Sequence, residues 1–108
     1  MDAAVRRRDV RRPGRVTPPW ARGLRARTVR LPRKGRMDWH STRGREELLV
    51  VLSGRVRLEV DTAGRRRRLV LASGTSAFLS RATDHCVVNT ALGASLYLYV
   101  TGPAGRAS

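Results

Sequence analysis

Glu47-Leu-Leu-Val-Val-Leu-Ser-Gly-Arg-Val-Arg-Leu-Glu-Val60 is the stretch of sequence that decides the fold class. Residues 48–52 are all apolar, and a continuous apolar run of this length is typical of a buried strand. Ser53-Gly54 ends that run with residues that favour a turn. Residues 55–60 then alternate polar and apolar side chains, which is the pattern of a strand with one buried face. The stretch therefore predicts two consecutive β-strands.

The same pattern continues on both sides of this stretch. Further strands are predicted at residues 24–31, 37–41, 65–71, 75–79, 85–90 and 95–101. Glycine-containing turns separate them, at residues 61–64, 73–74 and 92–93. No segment has a helical period of apolar residues. Short strands at spacings of about 8–12 residues predict an all-β sandwich or barrel.

The length of 108 residues predicts one domain. We expect the domain to span residues 24–103, between a flexible, basic, proline-containing tail at 1–23 and a C-terminal tail at 104–108. The single cysteine, Cys86, excludes an intrachain disulfide and a zinc ribbon. No apolar run is long enough for a membrane span or a signal peptide, so a cytoplasmic location without membrane association is expected.

The net charge of +15 raises the question of nucleic-acid binding. Residues 1–36 contain 12 Arg and 1 Lys against 2 Asp, which gives +11, and residues 37–108 contribute the remaining +4. A disordered arginine tail would give only nonspecific affinity for phosphates, because it has no element that reads bases. We therefore expect most of the arginines to lie on solvated surface and do not expect nucleic acid as the partner.

His40, Glu47 and His85 are the candidate metal ligands. The two histidines are the only ones in the chain, and Glu47 begins its most apolar strand. A buried carboxylate is unfavourable unless it is paired or binds a cation. Two imidazoles and one carboxylate form a facial ligand set for divalent transition metals, chiefly Fe(II).

The spacing of these residues resembles the two motifs of the cupin superfamily. The first cupin motif runs from a Gly through His-x-His and Glu to a second Gly, and here it corresponds to Gly35, His40, Thr42, Glu47 and Gly54. Thr42 stands where the family usually has its second His. An alternative register puts Ser41 and Arg43 at the His-x-His positions, but the lead-in from Gly35 to His40 fits the family better.

The second cupin motif corresponds to residues 74–89. Gly74, His85 and Asn89 keep the family's spacing, whereas Ser80 and Ala82 replace its Pro and Gly. The resemblance implies a small single-domain jelly-roll β-barrel, also called a double-stranded β-helix. It also implies that the barrel interior holds a ligand or a metal.

By this resemblance, His40, Glu47 and His85 would bind Fe, Mn, Ni, Co or Zn. The alternative is a cupin that has lost its metal, with hydrogen-bonded histidines and Glu47 paired with an arginine. Thr42 would face the cavity and bind water or substrate through its hydroxyl group. The other candidate cavity residues are Trp39, Phe78, Asn89, Tyr97 and Tyr99. Cys86 follows His85 and should point out of the cavity.

The resulting functional hypothesis is a metal-dependent enzyme that acts on a small metabolite, in a biosynthetic pathway such as secondary metabolism. One alternative is a metal-free isomerase, epimerase or cyclase, in which His85 is the catalytic base and Tyr97, or else Tyr99, is the acid. Another is a non-catalytic sensor of small molecules. A homodimer is expected, because cupins commonly pair. Fold alone does not choose among these functions.

Overall fold

The computed structural model describes residues 4–105, and this part of the chain is built from β-strands without a helix. The strands are β1 (Gly14–Arg15), β2 (Arg25–Leu31), β3 (Arg36–Ser41), β4 (Arg45–Ser53), β5 (Arg55–Thr62), β6 (Arg65–Ala72), β7 (Ser76–Leu79), β8 (Asp84–Asn89) and β9 (Ser95–Pro103). Since no helix occurs in these residues, none is present that could cross a membrane. The predicted strands from residue 24 onward are all found.

The strands form two antiparallel sheets. One has the order β1-β2-β9-β4-β7 and the other the order β3-β8-β5-β6. Strands that are distant in sequence are neighbours in both sheets, as in a jelly roll. The predicted all-β jelly-roll fold is confirmed.

The hydrophobic core lies between the inner faces of the two sheets. Alternate residues of β4 and β9 face inward, and Leu49, Val51 and Tyr97 are almost completely buried. The opposite sheet contributes Val56 and Leu58 from β5. Each sheet buries one of its faces against the other sheet. The alternating pattern of residues 55–60 therefore corresponds to a half-buried strand, as expected.

A β-bulge interrupts the pairing of β3 with β8. Met37 lies opposite Val87 and His40 lies opposite His85, so two residues of β3 face one residue of β8 between these pairs. A regular strand would place Met37 and His40 on opposite faces. The bulge lets both side chains face the barrel interior.

The two cupin motifs meet at Ser95. Gly54 has a φ of 83°, and a Cβ atom there would lie 2.2 Å from Ser95 Oγ, so only glycine fits this position. Ser95 Oγ lies 2.7 Å from Asn89 Oδ1. Asn89 Nδ2 also donates to the carbonyl groups of Leu31, Pro32 and Gly93. Gly54 and Asn89 therefore join strand ends at the closed end of the barrel.

The described part of the N-terminal tail packs on the barrel. Gly14 and Arg15 pair with β2, which adds an edge strand that the sequence analysis had placed outside the domain. Thr28 is buried on the outer face of β2, and its hydroxyl group donates to the carbonyl of Val10. The folded unit therefore begins before residue 24. Residues 1–3 and 106–108 of the predicted tails lie outside the described residues.

Candidate ligand and metal site in the barrel

A cavity of about 490 Å³ opens at one end of the barrel, between β3 and β8 on one side and β4 and β9 on the other. Its lining contains Arg25, Met37, Asp38, His40, Ser41, Thr42, Arg43, Arg45, Glu47, His85, Val87, Tyr97, Tyr99 and Thr101. All three candidate metal ligands are among these residues. The cavity is large enough for a small metabolite.

His40 and His85 are directly opposite each other on β3 and β8. Their ring centroids are 4.2 Å apart, and the ring planes are inclined at 57°. His85 is 1% exposed, whereas His40 is exposed at the mouth of the cavity. The bulge in β3 therefore brings together the two histidines that the motifs predicted.

Both imidazoles are held by backbone carbonyl groups through Nδ1. His40 Nδ1 lies 2.8 Å from the Asp38 oxygen, and His85 Nδ1 lies 3.1 Å from the Thr83 oxygen. A carbonyl only accepts hydrogen bonds, so each Nδ1 carries a proton. In a neutral imidazole the lone pair is then on Nε2. Metal-binding histidines are commonly oriented by such a bond.

The Nε2 atom of His85 is buried and has no hydrogen-bond partner among the described residues. Its nearest charged neighbour is Glu47, with Oε2 at 3.5 Å, which is an ion-pair distance rather than a good hydrogen bond. Burial alone would lower the pKa of His85, but Glu47 and the Thr83 carbonyl outweigh it and raise the pKa above its usual value.

Glu47 is also buried, at 7% exposure, and its carboxylate makes no other recorded contact in the described chain. It faces inward because β4 alternates, with Leu49 and Val51 on the same face. A buried carboxylate with a single weak partner is the kind of group that gains from a cation or from a proton-bearing ligand.

The hydroxyl group of Thr42 forms hydrogen bonds with backbone groups. Its hydroxyl group donates to the Ser80 carbonyl at 2.7 Å and accepts from the Thr83 amide at 3.0 Å. Thr42 lines the cavity, and its hydroxyl group is engaged by these two backbone groups. The group joins the loop after β3 to the loop before β8, which carries Thr83 and so positions His85.

The tyrosines of β9 face the interior. Tyr97 is 2% exposed and Tyr99 is half-buried, with ring centroids 6.4 Å apart. The hydroxyl group of Tyr97 has no hydrogen-bond partner in the described residues. Burial, then the charge of Glu47, raises the pKa of Tyr97 far above its usual value. Tyr97 therefore keeps its proton at neutral pH.

Three other candidate cavity residues lie elsewhere. Trp39 sits in the bulge, and its ring is covered by the Arg66 guanidinium at 4.8 Å. Phe78 is 62% exposed, because Ala77 and Leu79 take the inward positions of β7. Asn89 is used entirely by the strand ends described above. None of these three residues lines the cavity that contains the histidines.

A rim of arginines at the cavity mouth was not predicted from the sequence. It is formed by Arg25, Arg43 and Arg45. Arg45 donates to Thr101 Oγ1 at 2.8 Å and to backbone carbonyls, and no carboxylate of the described residues pairs with it. Arg25 shares its parity in β2 with Leu31, which is buried. That parity was the available signal that Arg25 faces inward.

The donor set fits a divalent metal in its chemistry, though not as a closed cluster. No group of three or more His, Cys, Asp or Glu side chains in residues 4–105 is arranged to hold an ion. The unpartnered Nε2 of His85 and the carboxylate of Glu47 nevertheless share one buried space. His40 stands beside them with its own Nδ1 bonded to a carbonyl.

The fold and the cavity define a small jelly-roll barrel with a polar, ligand-sized interior at one end. A family model described as the cupin domain matches residues 27–101. The chain belongs to the cupin family. No curated protein matches it in sequence.

Solved structures with the same fold come from proteins of different kinds. The cupin domain of Cnp3 from Schizosaccharomyces pombe has a TM-score of 0.73 and 11% identity, over 84% of this chain and 59% of that chain. An oxalate oxidase has a TM-score of 0.71 and 14% identity, over 75% and 42%. CENP-C from Drosophila melanogaster has a TM-score of 0.71 and 16% identity, over 82% and 64%.

The chain thus spans 42–64% of the lengths of these proteins. At such low identities the likeness shows the fold alone. It transfers neither a reaction nor a partner to this chain.

Proposed function

We propose that this chain is a metal-binding cupin that acts as an enzyme on a small metabolite held in its barrel, in a reaction of small-molecule biosynthesis. The observation that carries the proposal is the buried Nε2 of His85, which has no hydrogen-bond partner and faces the carboxylate of Glu47. An unsatisfied buried nitrogen costs about 1–3 kcal/mol, and a metal ligated there would remove that cost.

His40, Glu47 and His85 would hold the ion. A divalent metal in that position would supply Lewis acidity toward a carbonyl group of the substrate. The chain's own groups do the positioning. The Thr83 carbonyl fixes the orientation of His85, and Thr42 fixes the loop that carries Thr83.

Tyr97 adds a proton donor to the same cavity. Its hydroxyl group stays protonated because burial raises its pKa, and no described side chain occupies it. It can therefore donate a hydrogen bond to a substrate oxygen and stabilise negative charge that develops there. Tyr99, Met37 and Val87 contribute apolar side chains to the lining of the same cavity.

The proposal predicts that loss of the Glu47 carboxylate abolishes metal binding. Elemental analysis of protein purified without added metal or chelator should find near-stoichiometric transition metal in the wild type. It should find background levels in Glu47→Gln and in His85→Ala. The matched control is Glu59→Gln, because Glu59 is equally buried, at 8% against 7%, but lies on β5 outside the cavity lining.

Metal that persists in Glu47→Gln would place the ion elsewhere and contradict the proposed ligand set. A wild-type protein that takes up none of Fe, Mn, Ni, Co or Zn on reconstitution would overturn the metalloenzyme proposal as a whole.

A second candidate is a metal-free isomerase, epimerase or cyclase. The observation that favours it is the pairing of His85 with Glu47, which stabilises the protonated imidazole, opposite an available Tyr97 hydroxyl. His85 would be the base and Tyr97 the acid. In that case metal analysis of the wild type gives background values, and Tyr97→Phe lowers turnover without weakening binding. A ligand bound without any turnover would indicate the sensor instead.

A further inference from the structure

A second recess adjoins the cavity on its β2 side. It has a volume of about 430 Å³ and is lined by Arg15, Thr17, Arg25, Ala26, Arg27, Tyr99 and Thr101. Arg25, Tyr99 and Thr101 also line the cavity that contains the histidines. The two spaces therefore adjoin at these three residues. Together we call them the groove, which extends from Glu47 and His85 to the edge strand β1.

The register of the five-stranded sheet shows how this groove is built. Glu47, Thr101 and Arg25 are successive cross-strand partners on β4, β9 and β2. The neighbouring row of inward-facing residues is formed by Tyr99 on β9, its partner Arg27 on β2, and the partner of Arg27 on β1, which is Arg15. Arginines thus take positions on the inner face of the barrel, where apolar residues are the rule.

The positive charge of this recess is uncompensated. Within residues 4–105, none of Arg15, Arg25 and Arg27 forms an ion pair, and the ion pairs of the other arginines lie elsewhere. Arg15 makes only a 3.3 Å contact with the Pro18 carbonyl. Guanidinium groups that converge on a recess without a carboxylate form a binding site for carboxylate or phosphate.

We propose that the recess lined by Arg15, Arg25 and Arg27 binds the anionic head of an elongated small molecule whose uncharged end lies beside His85 and Glu47. This inference deepens the proposed function, since it names the ligand class of the same cavity. Glu47 and Arg25 are two strands apart, about 10 Å. Glu47 does not line the recess, and the three arginines there have no carboxylate partner, so the anionic head belongs at the arginine end.

The body of the ligand is apolar. Tyr99 lines both spaces, and Tyr97, Met37 and Val87 line the cavity that contains the histidines. A flat or aromatic body fits between such side chains. The ligand class is therefore an aromatic or aliphatic acid, or a phosphate monoester of similar length.

Calorimetric titration at fixed ionic strength tests this proposal with three probes of similar size: 3-phenylpropionate, phenyl phosphate and the neutral 3-phenylpropionamide. At least one of the two anions should bind the wild type, and the amide should bind about tenfold more weakly or not at all. The stronger anion distinguishes a carboxylate head from a phosphate head.

Arg25→Gln/Arg27→Gln should weaken binding of that anion by about tenfold or more, because each lost contact is a charged hydrogen bond. The matched control is Arg65→Gln/Arg67→Gln, which removes the same charge from β6, where neither residue is in an ion pair. The control should retain wild-type affinity. Circular dichroism melting checks that both variants are folded.

Equal losses in the two double variants would show a bulk charge effect and overturn the proposal. Binding of the amide as tight as that of the anions, or no binding of either anion, would overturn it as well. Metal analysis of the same samples separates this test from that of the proposed function. If the wild type contains no metal but still binds the anion in an arginine-dependent way, the proposed metal site is wrong and the proposed anion site in the recess is supported.

Discussion

Ala82 has a left-handed backbone conformation, with a φ of 55°. It stands where the cupin motif has glycine, and its amide donates to the Arg43 carbonyl at 2.7 Å, so the loop holds it in place. The left-handed region costs an L-residue about 1–2 kcal/mol relative to the right-handed one. Glycine avoids that cost but loses more entropy on folding.

Ala82→Gly should therefore raise the free energy of unfolding, by about 0.5–1 kcal/mol after the entropy is subtracted. Urea denaturation followed by circular dichroism measures the change. Ala72→Gly is the control, since Ala72 is exposed in the regular strand β6 and its replacement should lower stability. A loss of stability in both variants would contradict the assignment of strain to Ala82.

Glu59 decides the acid stability of the sheet formed by β3, β8, β5 and β6. Its carboxylate contacts Arg57 Nε at 3.1 Å and Arg68 Nε at 3.5 Å, which joins β5 to the edge strand β6. Burial alone would raise the pKa of Glu59, but the two arginines outweigh it and lower the pKa below its usual value. The ion pairs thus stabilise the fold above the pKa of the unfolded chain, and this contribution is lost as pH falls through the folded value.

The wild type should accordingly lose stability as the pH falls below the unfolded-chain value of about 4.5, and Glu59→Gln should show a smaller loss over that range. Urea midpoints measured across this pH range give the comparison. Glu46→Gln serves as the control, since Glu46 is exposed and has no ion pair in the described residues. Parallel pH profiles for the wild type and Glu59→Gln would count against a role for Glu59.

The strands from residue 24 onward could be predicted because alternation of apolar side chains is a local property of the sequence. Alternation does not say which face of a strand is inside. The outward position of Phe78 and the place of Arg25 beside the cavity therefore did not follow from the pattern alone. The bulge in β3 has no sequence signal of its own, because it arises from pairing with β8. Trp39 was therefore given a cavity position, although it lies in that bulge on the side of Arg66.

The candidate site was predictable to the extent that the cupin motifs fix its spacing. His40, Glu47 and His85 line one cavity, and Gly54 is needed where the motif has it. Side-chain partners that come from loops distant in sequence were not predictable. Thr42 is the clear case, because its hydroxyl is used by residues 80 and 83.

The fold shows where the excess positive charge of the chain lies. Most of this charge is in residues 1–36, whose arginines were expected on solvated surface. In the structure, Arg15, Arg25 and Arg27 belong to that segment and face the groove of the barrel. Part of the net charge of +15 thus lies beside the cavity mouth. These charges produce a positive potential there, which favours anions.

We expect a homodimer to form through the outer face of the sheet that contains β4 and β7. Leu48 and Phe78 are direct cross-strand partners there, and they are 43% and 62% exposed. Adjacent exposed apolar side chains on a sheet favour association, and two copies of one face pair readily about a two-fold axis. We expect a mass near twice 12.0 kDa by light scattering.

Phe78→Asp should convert this dimer to a monomer, because it would place a charge in the apolar contact. Val70→Asp is the matched control, since Val70 is exposed to a similar degree, 65%, but lies on β6 in the opposite sheet. Light scattering at about 50 µM, far above the dissociation constant of an ordinary stable dimer, makes the comparison. A monomeric wild type would refute the dimer, and a dimer that survives in Phe78→Asp but dissociates in Val70→Asp would move the interface to the other sheet.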